Sequence, residues 1–366
     1  MKVVVAGGGT AGHVFPAIAL ARRLIDDHGA DVRYLGTAAG LEARLVPEAG
    51  IPFTAIEAQP LRRKISAKSA VAPLVAARAV RASRPLVLDA DVVVGMGGYV
   101  SVPPVLAAAR ARRPIVLHEQ NAIPGLANRL LARFATTVAV SFGDARPRFP
   151  RSTRTVLTGN PVRASIADVA ERREAVAKEA WTALDLDEGR RTVVVFGGSL
   201  GALHLDRTIA GALEPLEERD DLQLLVLTGP AHLDVVSTAV RPGSPLLVRT
   251  LPFLDRMELA YAVADLIVAR AGATTIAEIS VCGLASILVP YPFATANHQE
   301  ANARELERAG ASSVLLDRDL EPVALALQIA DLVDDPARLR AMAESARGWA
   351  RPDAAARLAD LVAEAA

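Results

Sequence analysis

Three short apolar runs in this chain each stop at a glycine cluster. Val3-Val4-Val5-Ala6 meets Gly7-Gly8-Gly9-Thr10-Ala11-Gly12, Val92-Val93-Val94 meets Gly95-Met96-Gly97-Gly98-Tyr99, and Val193-Val194-Val195-Phe196 meets Gly197-Gly198-Ser199-Leu200-Gly201. A continuous β-branched run marks a strand buried on both faces of a parallel sheet. A glycine turn directly after it lets backbone N–H groups and a following helix start face an anion. The pattern predicts a parallel α/β fold and a ligand that carries phosphates.

At 366 residues the chain exceeds the ~250–300 at which single cores stop growing, so two domains are expected. Strands at 3–6 and 31–35 with a helix over 14–26 between them open a βαβ unit, and strands at 92–94 and 115–117 with a helix over 105–112 continue it. At Thr192 the alternation restarts, with strands expected at 193–196, 222–227, 246–248, 266–269 and 286–289, and a helix from Leu203. Gly159-Asn160-Pro161 reads as a hinge between residues 1–160 and 161–346. The expected fold class is α/β, with two Rossmann-like doubly wound parallel-sheet domains facing a central cleft, because ligands bind outside the carboxyl ends of such strands.

Composition narrows the function. A formal net charge of zero argues against a dedicated nucleic-acid binder. One cysteine, Cys282, excludes a disulfide framework and suits a reducing compartment. The first apolar run breaks at Gly7, too soon for a signal peptide, and the uncharged stretches 92–109 and 279–297 are interrupted by Gly and Pro. A cytoplasmic protein is expected. Between Glu57 and Asp89 no acid occurs, while Arg62, Arg63, Lys64, Lys68, Arg78, Arg81 and Arg84 mix with Leu61, Ile65, Val71, Leu74, Val75 and Val80. Such a segment is either an amphipathic helix packed on a core or a dock for an anionic membrane face.

Gly7-x-Gly9-x-x-Gly12 fits the dinucleotide fingerprint, but the second strand ends Tyr34-Leu35-Gly36-Thr37 without the ribose-binding acid, which disfavours NAD. His13 opens the first helix, where it serves either as a general base or as a hydrogen-bond partner of its own loop. His118-Glu119-Gln120-Asn121 ends a strand, a position that faces ligands or caps the next helix. No histidine or carboxylate spacing suits a protein-held metal. Arg270-Ala271-Gly272-Ala273-Thr274-Thr275-Ile276-Ala277-Glu278 opens a helix with N–H groups and two hydroxyls toward an anion, and Glu278 could accept ribose hydroxyls. In Asn297-His298-Gln299-Glu300 the amides suit sugar hydroxyls.

Together with Gly159-Asn160-Pro161-Val162-Arg163, these motifs resemble the MurG family of peptidoglycan N-acetylglucosaminyltransferases over nearly the whole chain. The resemblance implies GT-B architecture, with a last helix over 347–366 crossing back onto the N-terminal domain. It implies inverting transfer of N-acetylglucosamine from UDP-N-acetylglucosamine to the 4-hydroxyl of the muramyl sugar of lipid I, without a cofactor. The donor's uracil falls near Phe253 and Leu254, its ribose at Glu278, and its phosphates by Ser199 and the turn Ala273, Thr274, Thr275, Ile276 and Ala277. Thr10, Ala11, Gly12, Asn121, Arg163 and Gln299 are further donor contacts. Gly9, Gly97, Gly98 and Tyr99 take the acceptor diphosphate, and either His13 or Glu119 is the base. The expected location is peripheral, on the cytoplasmic face of an anionic membrane. Rival readings are a UDP-N-acetylglucosamine 2-epimerase, an NAD-linked oxidoreductase and a catalytically silent sugar-nucleotide-binding module.

Overall fold

The computed structural model describes residues 1–58, 67–198 and 201–366, with 67–76 described by backbone alone. The chain divides into two compact units, Met1–Arg163 with Arg351–Ala366, and Ala164–Ala350.

The described part of the first unit holds β1 (Lys2–Ala6), β2 (Asp31–Gly36), β3 (Phe53–Ala55), β4 (Val92–Gly95), β5 (Ile115–Glu119), β6 (Thr137–Val140) and β7 (Thr155–Leu157). They form one sheet in the order β3-β2-β1-β4-β5-β6-β7, every pair parallel. Alternate residues of a strand face opposite sides, and here both sides are core. Val3 and Val5 pack with Val14, Leu20 and Leu24 of the helix Ala11–His28, whereas Val4 and Ala6 pack with Val105 and Ala108 of the helix Val102–Ala111. That double burial is why the runs are uninterrupted valine.

The second unit holds β8 (Arg191–Phe196), β9 (Leu222–Leu227), β10 (Leu247–Leu251), β11 (Leu266–Ala269), β12 (Ala285–Leu288) and β13 (Ser312–Val314), in the parallel order β10-β9-β8-β11-β12-β13. Val193 and Val195 pack with Leu205, Ile209 and Leu213 of the helix Leu203–Leu216.

Each sheet reverses its strand order once, between β1 and β4 and between β8 and β11. Loops leaving the carboxyl ends diverge at such a switch point and open a crevice. The three glycine clusters leave β1, β4 and β8, so each stands at a switch point of its own sheet.

The helix expected over 347–366 is two helices. Pro336–Trp349 ends at Ala350 (ψ 155) and the last helix is Ala354–Ala365. Pro352 disfavours helical backbone at Arg351 and cannot donate to a helical ladder, which forces the break. The last helix buries Leu358, Leu361 and Val362 in the first unit's core. Among the described residues, no helix is long and apolar enough to cross a membrane, and no group of His, Cys, Asp and Glu could hold a metal ion.

Candidate active site

In the first unit, Gly7-Gly8-Gly9 passes from β1 into the helix Ala11–His28 and is clamped from the β2 side. The Tyr34 hydroxyl donates to the Gly7 carbonyl at 3.0 Å. Glu42, fully buried, accepts the Gly9 N–H at 3.3 Å through Oε2 and the Thr37 N–H and hydroxyl at 3.0 and 2.7 Å through Oε1. Burial, reinforced by the Glu42 charge, pushes the Tyr34 phenol well above its ordinary range. Gly9, expected among the acceptor-diphosphate contacts, has its N–H turned inward to Glu42. Sequence reading missed Glu42, an acid that enters five residues beyond the strand end where a ribose partner was sought. Its signal lay in the surrounding glycines, since a Cβ on Gly8 or Gly40 would stand 2.3 Å from Glu42 Oε1.

The first two glycine clusters meet around His13. Its Nδ1 lies 2.9 Å from the Thr10 hydroxyl, and its ring rests against Gly97, where a Cβ would fall 3.0 Å from Cδ2 and 3.2 Å from Nε2. Gly97 has φ +87, so both backbone and space require glycine there. The Tyr99 ring covers Gly9, and Gly98 passes directly over the Gly8 carbonyl. Among the described residues, nothing accepts the N–H of Gly97 or Gly98. Thr10, His13, Gly97, Gly98 and Tyr99 therefore form one site at the β1/β4 switch.

Behind it stand His118, Glu119 and Gln120, all buried. The Gln120 amide donates to the Met96 carbonyl at 2.7 Å and to His118 Nδ1 at 3.1 Å, so His118 carries its proton on Nε2, facing the Gly159 carbonyl at 3.1 Å. Glu119 accepts from Asn121 N–H (2.9 Å), the Asn121 amide (3.4 Å), Gly125 N–H (3.0 Å) and the Asn128 amide (2.9 Å). Burial pushes its carboxyl up, against those hydrogen bonds. The sequence left the base open between His13 and Glu119, and burial distinguishes the two. The Glu119 carboxylate is 2% exposed with both oxygens engaged, and it holds the 121–125 turn. Asn121 is directed at Glu119 through both its N–H and its amide. Arg163 lies with its guanidinium 4.5 Å over the Phe15 ring.

Burial lowers His118 to about 4, below the ordinary value near 6.5. The unfolded chain takes up this proton as pH falls through ~6.5, and the folded one only near 4, so stability is lost as pH falls across that window, by about 3 kcal/mol in all. Glu119, raised by burial, contributes in the opposite sense, its share being lost as pH rises. His118→Gln is expected to flatten the acid-side slope of the first unit's urea midpoint measured between pH 7 and 4.5; an unchanged slope would contradict the assignment.

In the second unit the third cluster bends at Gly201 (φ +75), where a Cβ would lie 2.1 Å from the Thr228 carbonyl. Ser199 falls outside the described residues. The loop's exit is held by Asp206, whose Oδ2 accepts the Ala202 N–H at 3.2 Å and pairs with His232 Nδ1 at 2.9 Å. Burial raises the Asp206 carboxyl against these bonds. From β11, Arg270 donates to the Val289 and Pro290 carbonyls, both at 3.2 Å, and pairs with Asp317 at 2.5 Å. The helix Ala273–Cys282 follows Gly272. Thr274 and Thr275 are partly exposed, whereas Ala273, Ile276 and Ala277 are buried and the Ile276 N–H bonds to the Gly272 carbonyl. The Ile276 side chain is thus packed in the unit's interior, with its N–H satisfied inside the helix. Glu278, 6% exposed, accepts the buried Tyr261 hydroxyl at 2.8 Å. Phe253 is half exposed beyond β10, beside partly buried Leu254, and the Gln299 carbonyl accepts the Tyr291 N–H at 2.9 Å. Tyr261, Asp206 and His232 had no sequence signal.

Residues 3–140 match the family model of the glycosyltransferase family 28 N-terminal domain, and residues 192–358 that of the glycosyltransferase family 28 C-terminal domain. The UDP-N-acetylglucosamine–N-acetylmuramyl-(pentapeptide) pyrophosphoryl-undecaprenol N-acetylglucosamine transferase of Halothermothrix orenii is 41% identical, covering 100% of this chain and 99% of that protein. Among solved structures, Acinetobacter baumannii MurG is 32% identical at a TM-score of 0.78, with 99% of each chain covered. UDP-GlcNAc 2-epimerase from Neisseria meningitidis bound to UDP-GlcNAc shares the fold (TM-score 0.71, each chain fully covered) at only 11% identity. The two parallel-sheet units have the GT-B architecture. With both domains matched in order and a relative this similar over its full length, the chain belongs to glycosyltransferase family 28, within the MurG group.

Proposed function

We propose that this chain transfers N-acetylglucosamine from UDP-N-acetylglucosamine to the 4-hydroxyl of the muramyl sugar of lipid I, with inversion, giving lipid II and UDP. The observation that carries the reading is the convergence of His13 with two glycine clusters at the β1/β4 switch, beside N–H groups that no described residue accepts. The first unit takes the acceptor, its diphosphate against Gly97, Gly98 and Tyr99. The second takes the donor, with uracil at Phe253 and Leu254, ribose at Glu278, and phosphates at Ser199, Thr274 and Thr275. Thr10, Ala11, Gly12, Asn121, Arg163 and Gln299 complete the donor contacts that family membership suggests.

In this reading His13 Nδ1–H donates to the Thr10 hydroxyl and Nε2 takes the acceptor proton. The acceptor oxygen bonds to the anomeric carbon as the bond from that carbon to the UDP oxygen breaks. The negative charge gathering on UDP meets the helix start at Ala273 and the backbone amides of the third glycine cluster. UDP release is expected only when UDP-N-acetylglucosamine and a lipid I analogue are both present; release at the same rate without acceptor would contradict the reading.

An anionic membrane surface is the second partner in this reading. Leu126, Leu130 and Phe134 are 64%, 48% and 46% exposed at four-residue spacing on Leu126–Leu131 and the turn Ala132–Phe134. Arg129 and Arg133 are exposed beside them. Between Asp91 and Asp144 the sole acid is Glu119, which is buried, so nothing on this stretch repels an anionic headgroup, and each basic side chain near such a surface is worth about 1 kcal/mol. Leu61, Arg62, Arg63, Lys64 and Ile65 lie outside the described residues, whereas Arg78, Arg81 and Arg84 are exposed on the helix Ala67–Asp89. The location that follows is the cytoplasmic face of the membrane, held peripherally. Cosedimentation with anionic vesicles is expected at low salt, and Leu130→Glu with Phe134→Glu should weaken it severalfold; equal recovery with neutral vesicles would overturn the electrostatic part.

A further inference from the structure

We propose that Glu42 is a positioning residue for the transfer, setting His13 from beneath the first glycine loop; this rests on the function proposed above. Glu42 is fully buried, and a buried carboxylate is tolerated only when hydrogen bonds replace its water. It has them on both oxygens, from Thr37 and from Gly9. The space it fills is vacated by glycines from two stretches, the loop after β1 and the end of β2 with the turn that follows it. A Cβ on Gly8, Gly36 or Gly40 would lie 2.3, 2.5 and 2.3 Å from the Glu42 side chain. The carboxylate is therefore part of the loop's construction.

The consequence reaches His13 in two steps. With the Gly9 N–H tied to Glu42 and the Gly7 carbonyl to Tyr34, the loop is fixed to the β2 side at both ends. Thr10 follows directly. Its carbonyl accepts the N–H groups of His13 and Val14 at 3.1 and 3.2 Å, and its hydroxyl meets His13 Nδ1 at 2.9 Å. A general base must stand within hydrogen-bond reach of the proton it takes, and a displacement of about 1 Å can cost ~10²-fold in rate. A glutamine at this position would turn an NH₂ group toward Gly9 or Thr37, setting donor against donor.

Steady-state kinetics of Glu42→Gln with a lipid I analogue test this. We expect kcat to fall about 10²-fold, with a much smaller, severalfold rise in the KM for UDP-N-acetylglucosamine, because Thr10, Ala11 and Gly12 of the same loop are proposed donor contacts. Adding Thr10→Val should produce little further loss, since both changes act through one residue. A folded Glu42→Gln with kcat within twofold of wild type overturns the proposal, as does a donor KM that rises in step with the loss of kcat, or full additivity with Thr10→Val. Should Glu42→Gln fail to fold, Thr37→Val decides, because it keeps the carboxylate and removes one donor. A severalfold lower kcat with a smaller change in donor KM supports the proposal, and an unchanged kcat overturns it. Absence of transfer by the wild-type protein would instead count against the function proposed above.

Discussion

His13→Ala is expected to lower kcat about 10³-fold, within the range for loss of a general base, while the KM for UDP-N-acetylglucosamine changes by less than threefold. His13 touches the Thr10 hydroxyl and the backbone of Gly97, and Glu278, the proposed ribose contact, belongs to the second unit. Removing the imidazole deletes a proton acceptor and leaves the second unit's core intact. Thr10→Val should fall between, because it leaves the base in place and removes the oxygen that orients it. Single-turnover measurements with saturating donor check the prediction. A folded His13→Ala protein with near-wild-type turnover would remove His13 from the mechanism, and the burial of Glu119 would then leave no base among the residues proposed.

Glu278→Ala is expected to raise the KM for UDP-N-acetylglucosamine about 10²-fold with kcat little changed. Losing a hydrogen bond to a charged group costs on the order of 1.5–3 kcal/mol, which spans that change. The variant has a second consequence within the protein. The Tyr261 hydroxyl, fully buried, loses the carboxylate it donates to at 2.8 Å, so the second unit should also lose about 1–3 kcal/mol of stability. Glu278→Gln separates the two effects, since its amide oxygen can still accept from Tyr261. It should recover most of the stability and only part of the affinity. Calorimetric titration with UDP alongside thermal unfolding reads both; unchanged UDP affinity in folded Glu278→Ala would place the ribose elsewhere.

The strands best read in advance are those buried on both faces. Residues 3–6, 92–94, 193–196 and 266–269 fall in β1, β4, β8 and β11 because these strands lie in the middle of their sheets and those residues are apolar and buried. Several strands toward the sheet margins were missed. Thr137–Val140, Thr155–Leu157 and Ser312–Val314 are three or four residues long and mix hydroxyls with valine, so their pairing depends on neighbours distant in sequence. The break at Pro352 was visible as a residue type but was outweighed by the helical composition on either side.

In the site, glycines and His13 were legible because local backbone geometry demands them. Partners that arrive from elsewhere were not. Glu42 meets Gly9 across 33 positions, Tyr261 meets Glu278 across 17, and His232 meets Asp206 across 26. None is marked by spacing, since only the sheet order brings them together. His13 and Glu119 looked equivalent as bases, and burial and hydrogen bonding separate them.

Sugar transfer to a lipid-linked acceptor can be observed in a single reaction. Incubation with radiolabelled UDP-N-acetylglucosamine and a lipid I analogue tests it most directly, with label and anomeric configuration read in the extracted lipid. Label is expected in the lipid fraction as a β-linked sugar, dependent on His13; epimerised donor with no labelled lipid would rule the transfer out.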